Sequence, residues 1–119
     1  MRSSNETNLN IADISALPSV NGSPIPATQM LSLSVQVIMT GTSPTGIVKV
    51  QASNDPGNPV NGGSDPTNWT DISGAYVSVS AATTYLIPKL ETTYAWVRLV
   101  YTQTSGTGTC VANVFSQGL

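Results

Sequence analysis

Apolar and polar side chains alternate over much of this chain, and this two-residue period constrains its fold more than any other feature. The clearest stretch is 30–39, whose alternate apolar residues are Leu31, Leu33, Val35, Val37 and Met39. Successive side chains of a strand point to opposite faces of a sheet, so the pattern predicts a half-buried β-strand. No stretch has a convincing helical period, and we expect an all-β protein.

Two pairs of alternating runs are separated by residues that favour turns. TGTSPTG (40–46) separates 30–39 from 47–53, and TSGTGT (104–109) separates 94–101 from 110–115. Glycine supplies the positive φ that tight turns need, so each pair is predicted to form a hairpin. The residues expected to face the core are Val48, Val50, Ala52, Ala95, Val97, Leu99, Tyr101, Cys110, Ala112 and Val114.

Three shorter runs, WTDI (69–72), AYVSVS (75–80) and TTYLIP (83–88), bring the total to about eight strands. Short alternating runs separated by turn residues are typical of antiparallel sandwiches. The fold class expected is therefore an all-β, antiparallel, jelly-roll-like β-sandwich with an extended N-terminal arm.

The arm is predicted over residues 1–28, before a sandwich domain over 29–119. This first region is polar and contains Pro18, Pro24 and Pro26, although IADISAL (11–17) could add a short strand to a sheet edge. An arm of this kind becomes ordered on a neighbouring subunit. Its expected anchors are Ile11, Ile14 and Leu17.

Apolar residues also occupy the second face of the final strands. Trp96, Val111 and Phe115 alternate with the residues assigned to the core. Large apolar side chains exposed on a lone monomer are unfavourable, so these three residues are predicted to form a subunit interface.

The surface is predicted to be polar but nearly uncharged. Charged residues make up 8% of the chain and the net charge is -2, so Ser, Thr, Asn and Gly supply most of the polarity. The four basic residues are scattered, which argues against nucleic-acid binding. No membrane-spanning run or signal-peptide-like start is present, and we expect a protein that is made or assembled in a host cytoplasm and does not bind membranes.

Histidine is absent from the sequence, which excludes Ser-His and Cys-His hydrolytic triads and histidine-bearing zinc sites. Four carboxylates in or near loops leave a paired-carboxylate glycosidase formally open: Asp55, Asp65, Asp71 and Glu91. Asp-Pro at 55 and 65 is also a common way to begin a turn, and this interpretation is preferred. We expect no enzymatic activity, no cofactor and no metal.

The loop 54–68 is rich in proline and glycine and is the candidate ligand loop. Its oxygen-bearing side chains could hold calcium: Asn54, Asp55, Asn58, Asn61 and Asp65. With Trp69 as a stacking surface it could instead bind a sugar. The default interpretation is a plain surface loop with Trp69 as a core plug; the residues retained as a possible ligand site are Asn54, Asp55, Asp65 and Trp69.

Residues 35–115 resemble small β-sandwich virion proteins encoded in the structural modules of bacteriophages. The resemblance rests on VQVIMTGTSPTGIVKVQASNDP, NWTDISGAYVSVS and YAWVRLVYTQTSGTGTCVANV, in that order. Proteins of this kind are capsid decoration proteins, head fibres or tail components.

The resemblance implies a non-enzymatic virion protein. We expect a capsid decoration or cement protein on the capsid surface, most simply a homotrimer, which binds the major capsid protein and stabilises the shell. The alternatives are a tail, baseplate or fibre component and a carbohydrate-binding β-sandwich module.

Overall fold

The computed structural model describes residues 2–56 and 63–118, and in these residues the chain forms seven β-strands and no helix. The strands are β1 (Arg2–Ile11), β2 (Ser19–Asn21), β3 (Ile25–Pro26), β4 (Met30–Ser53), β5 (Thr70–Val79), β6 (Thr84–Glu91) and β7 (Trp96–Gly118). Within the described ranges, no helix could cross a membrane.

Strands β4 and β7 are unusually long and form the centre of the fold. They pair antiparallel along almost their whole length, from Met30 opposite Gly118 to Ser53 opposite Trp96. Inward residues from both ends of this pair belong to one hydrophobic cluster, so the paired ribbon folds back on itself. Each long strand therefore contributes one half to each of two packed layers.

The other strands flank this ribbon on both sides. In the first layer the order is β1, the second half of β7, the first half of β4, and β6. In the second layer the order is β2 with β3, the first half of β7, the second half of β4, and β5. If the halves of β4 and β7 are counted separately and β2 with β3 is counted as one strand, this is the eight-strand arrangement of a jelly roll, and the predicted antiparallel β-sandwich is confirmed.

The two predicted hairpins are wrong, because the chain does not reverse at either turn-like segment. Thr40, Gly41 and Thr42 continue to pair with the opposite strand through Thr109, Gly108 and Thr107, and within 40–46 the register first shifts after Thr42. Gly41 has φ 117° and Gly108 has φ 135°. The paired glycines let two strands bend together from one layer into the other.

The core contains the side chains that alternation assigned to it, apart from the half-buried Ala95 and from Leu31 near the start of β4, which is 53% exposed. Val48, Leu99 and Ala112 are at most 1% exposed, and Cys110 and Tyr101 are fully buried. Burial raises the pKa of the Cys110 thiol to about 11. Cys110 is thus a packing residue with little thiolate at neutral pH.

The prediction of a separate arm over residues 1–28 requires correction. β1 pairs with Cys110–Gly118 of β7, while β2 and β3 pair with the first half of β7. Leu9 belongs to the core cluster and is 1% exposed. The first 28 residues therefore complete both layers of their own sandwich, because their backbone fills the free edge of β7.

Candidate interaction surfaces

The outward side of the first layer, called the first-layer face below, carries three consecutive rows of side chains. The first two rows cross β1, β7, β4 and β6, and the third reaches from β1 to β4. The rows are Asn10–Val111–Ile38–Thr84, Thr7–Asn113–Gln36–Leu86 and Asn5–Phe115–Ser34. Apart from four apolar residues, every member is an amide or a hydroxyl.

The apolar residues of this face are accessible. Leu86 is 68% exposed and Phe115 is 41% exposed, while Val111 and Ile38 are half-buried. Between them, Thr7 Oγ1 donates a hydrogen bond to Asn113 Oδ1 over 2.7 Å. This bond uses the amide oxygen of Asn113 and does not use its N–H groups. The face combines apolar contact area with hydrogen-bonding groups that carry no charge.

The three predicted interface residues differ in location and exposure. Phe115 and Val111 lie on the first-layer face, as a contact residue must. Trp96 is only 7% exposed and cannot form a subunit contact without rearrangement, so that assignment is corrected. Trp96 lies on the second layer beside the loop after β4, where Asn54 accepts a hydrogen bond from the Ala95 N–H and Trp69 packs on Arg98.

The predicted arm anchors also differ in exposure. Ile14 is 1% exposed and Ile11 is 8% exposed, and both pack in the core of their own chain, so they are not available to a partner. Leu17, in the connection between β1 and β2, is 58% exposed. Of the three proposed anchors, Leu17 alone has a surface that another protein could contact.

The outward side of the second layer carries a hydrogen-bonded chain of polar residues. Lys49 Nζ donates to Asp71 Oδ2 over 3.1 Å, and Gln51 Nε2 donates to Asp71 Oδ1 over 2.8 Å. Arg98 Nε donates to Gln51 Oε1 over 2.9 Å, and its guanidinium lies 4.4 Å from the centre of the Trp69 ring. The bonds from Gln51 and Lys49 lower the pKa of Asp71.

Two apolar side chains flank this polar chain. Tyr76 pairs across the sheet with Lys49 and is 56% exposed, and Ile47 is 39% exposed. Neither these residues nor Leu86 were predicted as contact residues. Alternation in 47–53, 75–80 and 84–87 places Ile47, Tyr76 and Leu86 outward, but a single exposed apolar residue in a short run has no distinctive signal.

The candidate ligand loop is closed at its base by Asp55. Both carboxylate oxygens accept hydrogen bonds, from the Thr67 N–H at 2.7 Å, the Asn68 N–H at 2.9 Å and Asn68 Nδ2 at 3.1 Å and 3.3 Å. Asn54 Oδ1 accepts from the Ala95 N–H, and Trp69 Nε1 donates to the Pro66 carbonyl. These side chains hold the loop rather than present free groups to a ligand.

This geometry argues against both the calcium-binding and the sugar-binding interpretation of the loop. The Asp55 oxygens are already occupied by N–H donors, Asp65 is exposed outside that network, and Asn58 and Asn61 lie outside the described residues. Among the residues that the structure describes, no cluster of three or more acidic, Cys or His side chains could hold a metal. One face of Trp69 is covered by Arg98.

The four carboxylates do not gather into one acid–base site. Asp71 lies on β5 in the second layer and is bound to Lys49, whereas Glu91 lies on β6 in the first layer. Asp55 is engaged with its own loop.

Closure of the loop should depend on pH through Asp55. The hydrogen bonds that it accepts, first from the Asn68 N–H and then from the Thr67 N–H, lower the pKa of the Asp55 carboxyl below its ordinary value of 3.8. A lowered native pKa means that this stabilisation is present above pH 3.8 and is lost as pH falls through the native value. We expect the Thr67 and Asn68 amides to lose hydrogen-exchange protection in that acidic range.

The matched control for this prediction is Asp55→Asn, which keeps the shape of the side chain. It should reduce protection of the same two amides at neutral pH and abolish the acid-dependent change. If wild type and variant show equal protection at neutral pH, Asp55 does not close the loop.

No protein-family model and no curated protein matches this sequence. The fold is nevertheless shared with solved structures. The PBSX exported protein XepA superposes with a TM-score of 0.72 over 98% of this chain, at 13% identity. This chain spans 37% of the length of XepA.

Two further structures match over most of both chains. The SPBc2 prophage-derived protein YomS has a TM-score of 0.56 and 13% identity, covering 97% of this chain and 94% of that chain. A Bacillus endospore appendage protein, from a family of disulfide-linked pili, has the same TM-score and identity, with 99% and 88% covered. At these identities the likeness establishes the β-sandwich fold.

Proposed function

We propose that this protein is a non-enzymatic structural component of a bacteriophage virion and acts by binding other proteins. The observation that carries the proposal is the pair of outward faces, each with exposed apolar residues. On the first-layer face these lie among uncharged polar residues, and on the second layer they flank the chain of Lys49, Asp71, Gln51 and Arg98. A complete sandwich gains nothing for its own stability from Leu86, Phe115 and Tyr76 in these positions, but a binding partner can bury them.

The fold supports the phage assignment, because it is shared with the prophage-derived protein YomS. It is also shared with a subunit of a disulfide-linked pilus. The one cysteine of this chain, Cys110, is fully buried, so its assemblies would be held without disulfides. Apolar burial would supply the stabilisation, at roughly 25 cal/mol per Å² of surface removed from water.

Within that class, we propose a capsid decoration protein that binds the major capsid protein and stabilises the shell. A small, charge-poor protein that binds by apolar faces can be repeated over a symmetric surface, where many weak contacts add up. The predicted homotrimer would suit such a lattice. The same faces would serve a tail, baseplate or fibre component, which is the second candidate.

Immunogold electron microscopy of phage particles, with an antibody raised against the purified chain, tests the location. Label distributed over the heads supports the decoration role. Label confined to tails selects the tail component, and particles that carry no label contradict the proposal as a whole.

A further inference from the structure

We propose that two copies of this chain pack face to face through the first-layer face, related by a two-fold axis perpendicular to the strands. The occupant of this surface is thus a second copy of the chain. The inference comes from the register of the strands and does not rest on the proposed virion role.

The first step is charge. The three rows of the first-layer face contain no charged residue. Lys89 borders the third row, where it lines a pocket with Ser34 and Phe115, and Glu91 lies opposite Ser32 in the following row. Each chain has a net charge of -2, so most pairs of like surfaces would repel. This face allows two copies to approach without bringing like charges together, and charge depletion is typical of interface centres.

The second step is complementarity. The proposed two-fold axis lies between the two sheets, perpendicular to the strands and parallel to the middle row. It places β7 of one copy over β7 of the other and reverses the order of the rows. Phe115 in the third row then meets Val111 and Ile38 in the first row of the second copy. An aromatic ring therefore packs on β-branched residues twice in each pair, as the isologous rule requires.

The middle row is complementary to itself under the same axis. Leu86 of one copy faces Leu86 of the other. In the same way the amide of Gln36 faces the second Gln36, and the amide of Asn113 faces the second Asn113. An amide both donates and accepts hydrogen bonds, so two copies of the same amide can pair. Because Thr7 already donates to Asn113 Oδ1, Asn113 would meet the second copy chiefly through its amide N–H groups.

The third step is area. The three rows span residues 111–115 of β7. Four strands spaced about 4.8 Å apart, with five residues each at roughly 3.3 Å, give a footprint of about 320 Å². The accessible area of a face covered with side chains exceeds its flat footprint but stays below the roughly 800 Å² that each partner buries in a stable protein–protein interface, so we expect a weak, concentration-dependent pairing.

The pairing predicts an even number of chains in the assembly. A dimer results if this is the sole contact, and a hexamer results if a trimeric contact also exists, since a two-fold axis then joins two trimers.

Cross-linking of single-cysteine positions tests the geometry directly. Packed sheets lie about 10 Å apart, so a thiol cross-linker of that reach should join Leu86→Cys chains into covalent dimers. Tyr76→Cys, at a similarly exposed site on the opposite layer, should remain uncross-linked. The unmodified chain controls for Cys110, which is buried and should not react.

A charge placed on the axis provides a second test in the full-length protein. Leu86→Asp sets two carboxylates against each other, and we expect the mass measured by light scattering to halve at concentrations where the wild type is paired. Tyr76→Asp should keep the wild-type mass. The pairing is overturned if the wild type has an odd number of chains at every concentration, or if both cysteine variants cross-link equally.

Discussion

Replacement of Gly108 with alanine is expected to lower the free energy of unfolding by about 4 kcal/mol, or to prevent folding. Gly108 has φ 135°, a conformation that L-residues rarely adopt. A Cβ there would overlap the Thr40 carbonyl oxygen and lie 2.7 Å from Gly41 Cα, both of which are backbone atoms of the opposite strand. The two long strands could no longer bend together between the layers.

Gly74→Ala is the matched control, because Gly74 also has positive φ, 76°, but no heavy atom lies within 4 Å of the added Cβ. Only the backbone penalty applies there, about 1 kcal/mol. Urea denaturation of both variants gives the comparison. Equal losses would mean that the close approach of the backbones at Gly41 and Gly108 does not shape the fold.

Replacement of Leu9 with alanine is expected to cost about 3 kcal/mol of stability in the isolated chain. Leu9 is on β1, is 1% exposed and packs within the core cluster, so the truncation leaves a cavity. Asn10→Ala, on the outward side of the same strand, should change stability by less than about 0.5 kcal/mol. Thermal or urea unfolding measures both variants.

The Leu9 result separates two interpretations of the N-terminal region. If residues 1–28 were an arm that docks elsewhere, both substitutions would leave the isolated chain unaffected. A neutral Leu9→Ala would therefore contradict the pairing of β1 with β7.

Alternation predicted the core well because the two-residue period of a strand is a local property. Val35, Val48 and Ala112 face inward in the structure as expected, whichever strand lies beside them. The partner of a strand is a non-local property. A Thr-Gly-Thr segment such as 40–42 supplies positive φ both to a hairpin turn and to a bend between layers, so the sequence alone could not distinguish them.

The N-terminal region was misassigned for a related reason. Of the described part of β1, Leu9 and Ile11 alone face the core, and the three prolines that follow break the strand pattern. A short polar strand hydrogen-bonds equally well to the edge of its own sheet and to that of a neighbour. Its chemistry therefore predicted pairing without showing which chain supplies the partner.

The candidate contact residues were predicted in part. Phe115 and Val111 followed from alternation because no segment within residues 2–56 and 63–118 fully covers the outer side of the first layer at these positions. Trp96 has the same outward register but is buried on the second layer, where the loop after β4 returns and Trp69 packs on Arg98. Coverage by a distant loop has no signal in the local period.

The central claim is that one chain completes its sandwich only with its first 28 residues, so that partners must bind its outward faces rather than an arm. Near-ultraviolet circular dichroism and light scattering of the chain without residues 1–28 test it most directly. We predict loss of the tertiary signal and of cooperative unfolding, because the edge of β7 and the core around Ile14 are uncovered. A truncated chain that remains folded and cooperative, with only its assembly state changed, would contradict the claim.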